Sequence, residues 1–587
     1  MSQLTPLPIS PPPGVVKTEA DRIVEGRWIK TDGARFVGGK PQKIGGNTKV
    51  TSVAASGQLR ALHAWRDNSA IEYMAGGTYL KLYVYDREWT AHDITPLRAS
   101  GTLTDPFTTT SGSSIVSVAD TAHGGFSGDT VIFDGATAVG GLTIDGSYTV
   151  LTVTSANAYT IDAGSNASSS ATGGGTVDYE YEINAGTEHG AYGRGYGVGK
   201  YGIGTYGEAR TASGVYIEPR IWSLDHFGQV LIPSYNGGSV YAWDPTSVNW
   251  PRAEAVTETP TDVRYAFVFE RFVIALCDEL RIDWCSQNDY NDWTVTETNT
   301  AGSRKVFVGT KLVGGRPLTQ SVALIWTDAA VYVHQYTGSA LVFDTRLAGT
   351  KCGLISPLAA VVVNGAAYWM TPNTFMQFAG SAQPIPNVED IRAYVFDNMN
   401  TDLAYQCCAM YVPGFDEIWW FYVVEGEEEP SLYVSYHRTE GVWAAGPLAR
   451  LAATNFDHGD TRPYAAGTDG HIYIHEDGYN DNGAILPVEL QLGPYALNDG
   501  DSNVEVQGIV VDFHEQAGEV SLQIDAYDRL RSGVLETETE TVDEDTSVAD
   551  FRICGRYIGL TIRSESLDGY FRFGKPTALI KTAGRRR

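Results

Sequence analysis

Cysteine and methionine are scarce in this chain, with six of each among 587 residues. The cysteines are Cys277, Cys285, Cys352, Cys407, Cys408 and Cys554. None has the Cys-x-x-Cys spacing of a zinc or redox site, and all lie in apolar or strand-like contexts. The pattern predicts reduced, buried thiols and assembly in a cytosol, and it argues against a disulfide-stabilised secreted scaffold.

Long apolar runs are missing as well. No stretch of about 18 apolar residues occurs, so the sequence predicts no membrane-spanning helix. The polar, proline-rich segment 1–13 lacks the apolar core of a secretion signal. Sustained 3.6-residue periodicity is nearly absent, and the best helix candidate is near 387–400. Together these absences favour a mainly β protein.

Positive charge is in deficit, with 42 Lys and Arg against 70 Asp and Glu, a net charge of −28. Nucleic acid is therefore an unfavoured partner for most of the surface. Residues 551–587 are the exception, because they carry nine basic residues against Glu565 and Asp568. A basic end on an acidic body suggests contact between copies or with an acidic partner, and a solvated tail is the simpler alternative.

What is abundant is a repeated phrase, in which a polar or glycine turn is followed by a short alternating strand. From its second copy onward the phrase recurs every 40 to 57 residues. Its strands are anchored at Tyr79, Val240, Leu280, Val331, Phe375, Leu432 and Ile472. A period near 40–50 residues with several short strands per unit is typical of β-propeller blades, and six or seven blades fit.

The composition divides the chain into four regions around this repeat. A proline-rich stretch predicts an extended arm, a Ser/Thr/Gly-rich stretch with short strands predicts an insertion, and the last hundred residues change to longer alternating strands. A loop rich in tyrosine and glycine spans 189–207. The predicted regions are an N-terminal arm (1–25), a propeller (26–100 and 185–484), an inserted small β-barrel or sandwich (101–184), and a C-terminal β-sandwich with a basic tail (485–587).

Motifs that carry chemistry are weak. Residues 197–202 match G-x-G-x-x-G, but no strand precedes them and no helix follows, so the match follows from Tyr-Gly repetition. The segment 499–503 imitates the start of a calcium loop and then departs from it at Val504 and Val510. The acidic segment 477–483 could also bind a cation weakly, but a turn is the better explanation.

Two further groups have a structural explanation that we favour over a catalytic one. His471 and His475 lie four residues apart on a predicted strand. This spacing places them about 13 Å from each other, which is too far for both to bind one metal ion. Asp416 and Glu417 precede an aromatic strand and could form a glycosidase pair, but a blade strand after an acidic turn is the simpler interpretation. We therefore predict no catalytic, cofactor-binding or metal-binding residues, and no enzyme.

Several short segments resemble the large tail proteins of short-tailed bacteriophages. The inserted region also resembles a small β module of phage structural proteins through segments 123–124, 128–131 and 140–142. The segments that carry the tail-protein resemblance are 12–15, 35–36, the Tyr/Gly loop, 289–293, 299–302, 313–315, 325–328, 555–558, 571–574 and 584–586.

The resemblance implies a tail nozzle or hub protein, also described as a tail tubular or packaged-DNA stabilisation protein. Such a protein would form a homo-oligomeric ring, expected to be hexameric, below the portal and adaptor and beside tail fibre, spike or needle proteins. Genomic DNA would pass through its channel without specific binding. The implied location is the virion tail, after assembly in the bacterial cytoplasm. The alternative is a receptor-binding or carbohydrate-binding or -cleaving propeller of the tail.

Overall fold

The computed structural model describes residues 4–17, 24–192, 216–247, 249–496, 502–530 and 533–584. Over these residues the chain is almost entirely antiparallel β-structure, which confirms the predicted class. The helix predicted near 387–400 is reduced to the single turn α1 (Arg392–Phe396) after a 3-10 turn at Val388–Asp390. No helix among the described residues has the length and hydropathy to cross a membrane. Further 3-10 turns are Asp278–Leu280, Thr401–Gln406 and Pro413–Phe415.

Five short strands come first among the described residues; four of them pair with the far end of the chain, and the fifth, Ala34–Val37, pairs with Lys40–Lys43 beside it. They are β1 (Thr5–Pro8), β2 (Trp28–Asp32), β3 (Ala34–Val37), β4 (Lys40–Lys43) and β5 (Asn47–Lys49). The first blade of the propeller follows, with strands β6 (Ala61–Arg66), β7 (Glu72–Gly77), β8 (Leu82–Tyr85) and β9 (Ala91–Asp93).

The predicted insertion leaves the propeller after this first blade and returns before the second. Its strands are β10 (Leu97–Thr104), β11 (Phe107–Thr109), β12 (Ile115–Ala119), β13 (Thr130–Asp134), β14 (Gly146–Thr149), β15 (Thr152–Ser155), β16 (Ala158–Asp162), β17 (Ala171–Gly173) and β18 (Thr176–Glu182). They form a four-stranded and a five-stranded sheet around one apolar core, which is a sandwich. Its first and last strands pair along their length, so the insertion begins and ends at one place.

A two-residue ladder, β19 (Ala191–Tyr192) with β20 (Tyr216–Ile217), then leads into the remaining blades. Blade 2 contains β21 (Trp222–Phe227), β22 (Val230–Tyr235), β23 (Tyr241–Ala242) and β24 (Glu254–Ala255). Blade 3 contains β25 (Val263–Phe269), β26 (Phe272–Cys277), β27 (Arg281–Trp284) and β28 (Gly302–Lys305). Blade 4 contains β29 (Leu312–Thr319), β30 (Val322–Thr327), β31 (Ala330–Tyr336) and β32 (Phe343–Thr350).

Blade 5 contains β33 (Ala360–Val363), β34 (Ala366–Met370), β35 (Phe375–Phe378) and β36 (Ala382–Pro384). Blade 6 contains β37 (Cys408–Val412), β38 (Glu417–Tyr422), β39 (Leu432–His437) and β40 (Val442–Pro447). Blade 7 contains β41 (Ala452–Thr454), β42 (Tyr464–Ala466) and β43 (Ile472–His475), and its fourth strand is β5 from the start of the chain. The small strands β44 (Asn480–Asp481) and β45 (Ala484–Ile485) extend that sheet beyond β5.

The seven sheets are arranged radially. The first strands of consecutive blades contact each other in a closed circuit, from β6 through β21, β25, β29, β33, β37 and β41 back to β6. Large aromatic residues fill the space between blades; for example, the rings of Trp326 and Trp369 are 5.6 Å apart and those of Phe375 and Trp420 are 4.9 Å apart. The described residues therefore form a propeller of seven blades, the last of which is completed by Asn47–Lys49 from the start of the chain.

The last strands form the terminal sandwich. They are β46 (Val488–Ala496), β47 (Asn503–Val510), β48 (Phe513–Ala517), β49 (Val520–Tyr527), β50 (Glu536–Val542), β51 (Val548–Gly555), β52 (Tyr557–Ser564), β53 (Tyr570–Phe573) and β54 (Thr577–Gly584). Three sheets enclose one core, and each sheet includes a strand from the first 43 residues: β1 beside β54, β2 beside β46, and β3–β4 beside β53.

This pairing places the domain boundaries elsewhere than the sequence predicts. Trp28–Asp32, Ala34–Val37 and Lys40–Lys43 belong to the terminal sandwich rather than to the propeller, and Thr5–Pro8 of the expected arm is a sandwich strand. The reason is that these strands bury Trp28 and Phe36 against the C-terminal strands, a pairing between segments some 460 residues apart that local pattern cannot reveal.

The sandwich is docked on blade 6. The hydroxyl of Thr31 donates to the carbonyl of Ala445 (2.9 Å) and accepts from its amide (3.0 Å), and the amide of Val15 donates to the carbonyl of Trp443 (2.8 Å). The amides of Gly38 and Gly39 donate to the carboxylate of Glu440. The two domains therefore share polar and apolar contacts along β40.

Candidate functional site

The end of the propeller at which the first strand of each blade begins is called the front face below. A cavity of about 350 Å³ opens there, across blades 2 to 6. Its wall is apolar where strand starts meet, and polar groups occupy its rim. The lining includes Ile221, Trp222, Tyr265, Leu312, Val313, Leu354, Met399 and Tyr405, with Glu218, Arg264, Lys311, Asp328 and Asp402 as charged members.

Three of the charged residues on the rim form ion pairs with each other. Glu218 contacts Arg264 at 2.9 Å and Lys311 at 2.8 Å. Burial opposes ionisation of Glu218, but the hydrogen bond and charge of Lys311, together with Arg264, lower its pKa below the ordinary range. The cavity thus carries a fixed anion between two cations, beside an apolar floor, which is a surface able to hold a small polar ligand.

The Tyr/Gly loop leaves the propeller at this same face. His189 Nδ1 lies 3.3 Å from the hydroxyl of Tyr405, which lines the cavity, and Glu218 follows β20 directly. Residues 193–215, which include most of the loop and the G-x-G-x-x-G match, lie outside the described residues. The ladder β19–β20 therefore places the base of the loop at the mouth of the cavity.

An acidic group stands beside that base. The ligand atoms of Glu188, His189 and Glu429 lie within 4.8 Å of each other. Glu429 is already engaged, because both of its carboxylate oxygens accept from Arg60 at 2.7 and 2.9 Å. The acidic segment 427–429 thus contributes one carboxylate to the surroundings of the loop base.

Deeper along the first strands, a second polar cluster joins blades 1 and 2. His63 on β6 faces His226 on β21, with Nε2 and Nδ1 3.0 Å apart. Asp225 lies beside both, its Oδ1 3.9 Å from His63 Nε2 and 3.6 Å from His226 Nδ1. Burial, then the neighbouring His226 and Arg316, hold the pKa of His63 well below its usual range.

Arg316 on β29 completes this set. Its guanidinium donates to the hydroxyl of Tyr265, and Tyr265 also lines the front-face cavity. The cavity and the histidine cluster are therefore linked through one tyrosine. The sequence offered no signal for this arrangement, because its residues come from four different blades.

The residues that the sequence singled out lie elsewhere. His471 hydrogen-bonds Thr51, whereas His475 is buried and accepts from the Nε of Arg450 at 2.8 Å, so the two histidines serve different contacts. Asp416 and Glu417 also separate, because Asp416 pairs with Arg438 at 2.9 Å. Part of the calcium-loop imitation, 499–501, lies outside the described residues.

Glu417 belongs to a buried ion cluster that sequence inspection missed. Arg35, at 0% exposure, places its Nε 3.3 Å from a carboxylate oxygen of Glu417 and binds both oxygens of Glu476 through its terminal nitrogens. Burial alone would lower the pKa of Arg35, but the two carboxylates outweigh burial and raise it. Trp419 donates its indole N–H to Glu417 at 2.9 Å. The cluster ties the terminal sandwich to blades 6 and 7.

Several basic residues near the C-terminus are also part of the sandwich framework. Arg563 contacts Glu489 at 3.1 Å and Arg556 contacts Asp528 at 3.6 Å, while Arg572 donates to the carbonyl of Val37. Part of the expected basic tail is thus strand-bound and neutralised within its own domain, and residues 585–587 lie outside the described residues.

Comparison with known proteins adds no family. No family profile matches the chain, and no curated protein matches it. Among solved structures it is similar to the computationally designed Ika8 protein (8% identity, 73% of this chain and 99% of that chain, TM-score 0.33). It is also similar to BamB from Moraxella catarrhalis (12%, 43% and 81%, 0.25) and to a chain of a mitotic checkpoint complex (10%, 66% and 96%, 0.31). The strand pairing described above, not these alignments, defines the fold.

A buried histidine in blade 4 predicts how stability depends on pH. The Nδ1 of His334 lies 2.8 Å from the hydroxyl of Thr345, and burial followed by the charge of Arg304 lowers the pKa of His334 to about 3. In the unfolded chain the pKa returns to about 6.5. Because the unfolded state then binds the extra proton, unfolding free energy falls as pH drops below 6.5.

We therefore expect the His334→Gln variant to lose about 2 kcal/mol less stability than the parent between pH 6.5 and about pH 4.5. Guanidinium unfolding at a series of pH values measures this difference. His189→Gln, which alters an exposed histidine, is the control for the loss of an imidazole. Equal slopes for the parent and His334→Gln would show that His334 is not held neutral.

Proposed function

We propose that this protein is a non-enzymatic structural component of a bacteriophage tail, of the nozzle or hub class, that works as a ring of identical copies. The observation that carries the proposal furthest is the tethering of both chain ends, together with the phage-tail resemblance of the segments named above. Strand β5 closes blade 7, and β1–β4 complete the terminal sandwich. Opening the subunit requires many strand pairs to break together, which suits a part under mechanical load.

Charge supports the same role. A net charge of −28 would make a ring of such subunits repel DNA phosphates, so that a genome passes without adhering. A closed ring requires a heterologous interface between different surfaces of neighbouring copies. Portal and adaptor proteins on one side and fibre, spike or needle proteins on the other would be the partners in this role.

Native mass spectrometry and electron microscopy of the purified protein, alone and mixed with its adaptor, test the proposal. We expect a closed ring, with a hexamer as the specific expectation, and the protein in purified phage particles. A strict monomer under both conditions, together with absence from particles, would remove the proposal.

The front-face cavity favours a second candidate, a receptor-binding or carbohydrate-binding propeller. Tyr405 supplies aromatic surface and the Glu218 group supplies polar contacts, a combination that suits sugars. Binding on a glycan array that is lost in Tyr405→Ala, or release of reducing ends from host polysaccharide, would support this candidate. A ring without any glycan binding would favour the structural role.

A further inference from the structure

The junction of blades 1 and 2 gathers three groups that commonly bind metals. His63 comes from the first strand of blade 1, and Asp225 and His226 from the first strand of blade 2. Adjacent residues on a strand normally point to opposite faces. Here, however, the ligand atoms of Asp225, His226 and His63 lie within 4.8 Å of one another, and the side chains of Asp225 and His226 have 21% and 35% exposure.

The spacing of the three groups fits a single cation. The two imidazole nitrogens are 3.0 Å apart, and Asp225 Oδ1 is 3.6 and 3.9 Å from them. Nitrogen ligands at roughly 2.0–2.1 Å from a Zn²⁺ ion stand about 3.0–3.4 Å apart at tetrahedral or octahedral angles. Two imidazoles and one carboxylate are also a donor set that Zn²⁺ and its neighbours in the first transition row accept.

The carboxylate is held in place by the backbone. The Oδ2 of Asp225 accepts from the amide of Val268 on blade 3, and its Oδ1 accepts from the amide of His226, both at 2.8 Å. The ring of His63 stacks on Trp65 at 6.1 Å with an interplanar angle of 15°. Such supporting contacts orient metal ligands and limit the rearrangement that binding requires.

The competing occupant of this place is a proton. Without a metal, one imidazole N–H must lie between the two ring nitrogens and donate to the other ring. Binding a cation would displace that proton. The guanidinium of Arg316 is a positive charge close to this cluster, and it donates a hydrogen bond to the hydroxyl of Tyr265. The cluster of Glu188, His189 and Glu429 is a weaker candidate, since Arg60 occupies both oxygens of Glu429.

We propose that His63, Asp225 and His226 bind one divalent first-row transition-metal cation, with Zn²⁺ the best fit, at the junction between blades 1 and 2. Water would complete the coordination. The ion would cross-link the first strands of two blades that are separated in the chain by the inserted sandwich, and so fix the place where the insertion interrupts the propeller.

Calorimetric titration of untagged, chelator-treated protein with Zn²⁺ tests the site. We expect one Zn²⁺ per chain and a rise in the thermal unfolding midpoint that saturates at the same stoichiometry. His63→Gln and His226→Gln should each weaken binding by at least about 10-fold and lower the thermal shift measured at a given Zn²⁺ concentration. Asp225→Asn keeps the side-chain shape and should also weaken binding.

His189→Gln is the matched control, because it removes a histidine from the other cluster and should bind Zn²⁺ like the parent. Limited proteolysis without metal checks that the variants are folded. No Zn²⁺ binding by the folded parent would overturn the proposal and leave a histidine–histidine hydrogen bond in its place. Equal binding by the parent and a His63→Gln/His226→Gln double variant would also overturn it, since the ion would then be bound elsewhere.

Discussion

A chain that begins at residue 50 is expected to lose its folded terminal sandwich and the closure of its propeller. The deletion removes β1–β5, which contribute to all three sheets of the sandwich and to blade 7. The core would lose Ile9, Trp28 and Phe36, each at most 2% exposed. Their burial alone is worth roughly 5–9 kcal/mol, comparable with the whole stability of a typical domain, about 5–15 kcal/mol.

The deletion also leaves unpaired strand edges. Strands β43, β46 and β54 would each lose a neighbour and expose a row of backbone donors and acceptors. We therefore expect the truncated protein to aggregate, or to lose the residues after about 485 within minutes of mild protease treatment. Soluble yield and limited proteolysis with mass spectrometry measure both outcomes.

Excision of the inserted sandwich is the matched control, because it removes more of the chain. Leu97 pairs with Glu182, so residues 98–181 can be replaced by a short Gly/Ser linker without moving the strands of the propeller. Glu182 must stay, since it contacts Lys81 at 2.5 Å and Arg252 at 3.2 Å. We expect this shortened protein to remain soluble and protease-resistant. A stable, protease-resistant protein beginning at residue 50 would contradict the structural account.

The second large effect is expected from replacing Arg35, whose guanidinium is buried. Arg35→Met is expected to destabilise the protein by about 3–5 kcal/mol, because Glu417 at 2% exposure is left as an uncompensated charge. The double variant Arg35→Met/Glu417→Gln should recover part of that loss, since the stranded charge is then gone. Burial already raises the pKa of Glu417, and the charge of Arg35, the indole of Trp419 and the neighbouring His437 oppose that effect.

The first transition in guanidinium unfolding measures these differences. Arg392→Ala is the control, because Arg392 and Glu389 form a solvent-exposed pair 3.0 Å apart. Its loss should cost at most about 0.5 kcal/mol. An Arg35→Met variant no less stable than the Arg392→Ala control would show that the buried cluster does not hold the two domains together.

The sequence predicted the blades because their signal is local. The anchors Val331, Phe375, Leu432 and Ile472 all lie in the third strand of their blades, and Val240 and Leu280 directly precede theirs. The repeated phrase is therefore the turn between the second and third strands, followed by the third strand itself. Turn residues and alternation are properties of neighbouring positions, so the period could be read without knowledge of tertiary contacts.

The remaining features depend on partners far along the chain. Arg35 and Glu476 meet across 441 positions, and nothing near either residue marks the pairing. The same holds for His63 and His226, which the inserted sandwich separates in sequence while the propeller joins them. The Arg35 cluster and the zinc candidate are products of topology, which periodicity does not encode.

Closure of blade 7 by Asn47–Lys49 has a consequence for synthesis. At roughly 5–20 residues per second, translation reaches residue 472 tens of seconds to about a minute and a half after the first strands leave the ribosome. Until then β1, β2 and β5 have no partners, the β3–β4 hairpin lacks its neighbour β53, and blades 1 to 6 stand as an open arc. Pairings of such long sequence separation fold slowly. For most of its synthesis the nascent chain therefore exposes unpaired strand edges. We expect the supply of chaperones during translation to determine the yield of folded protein.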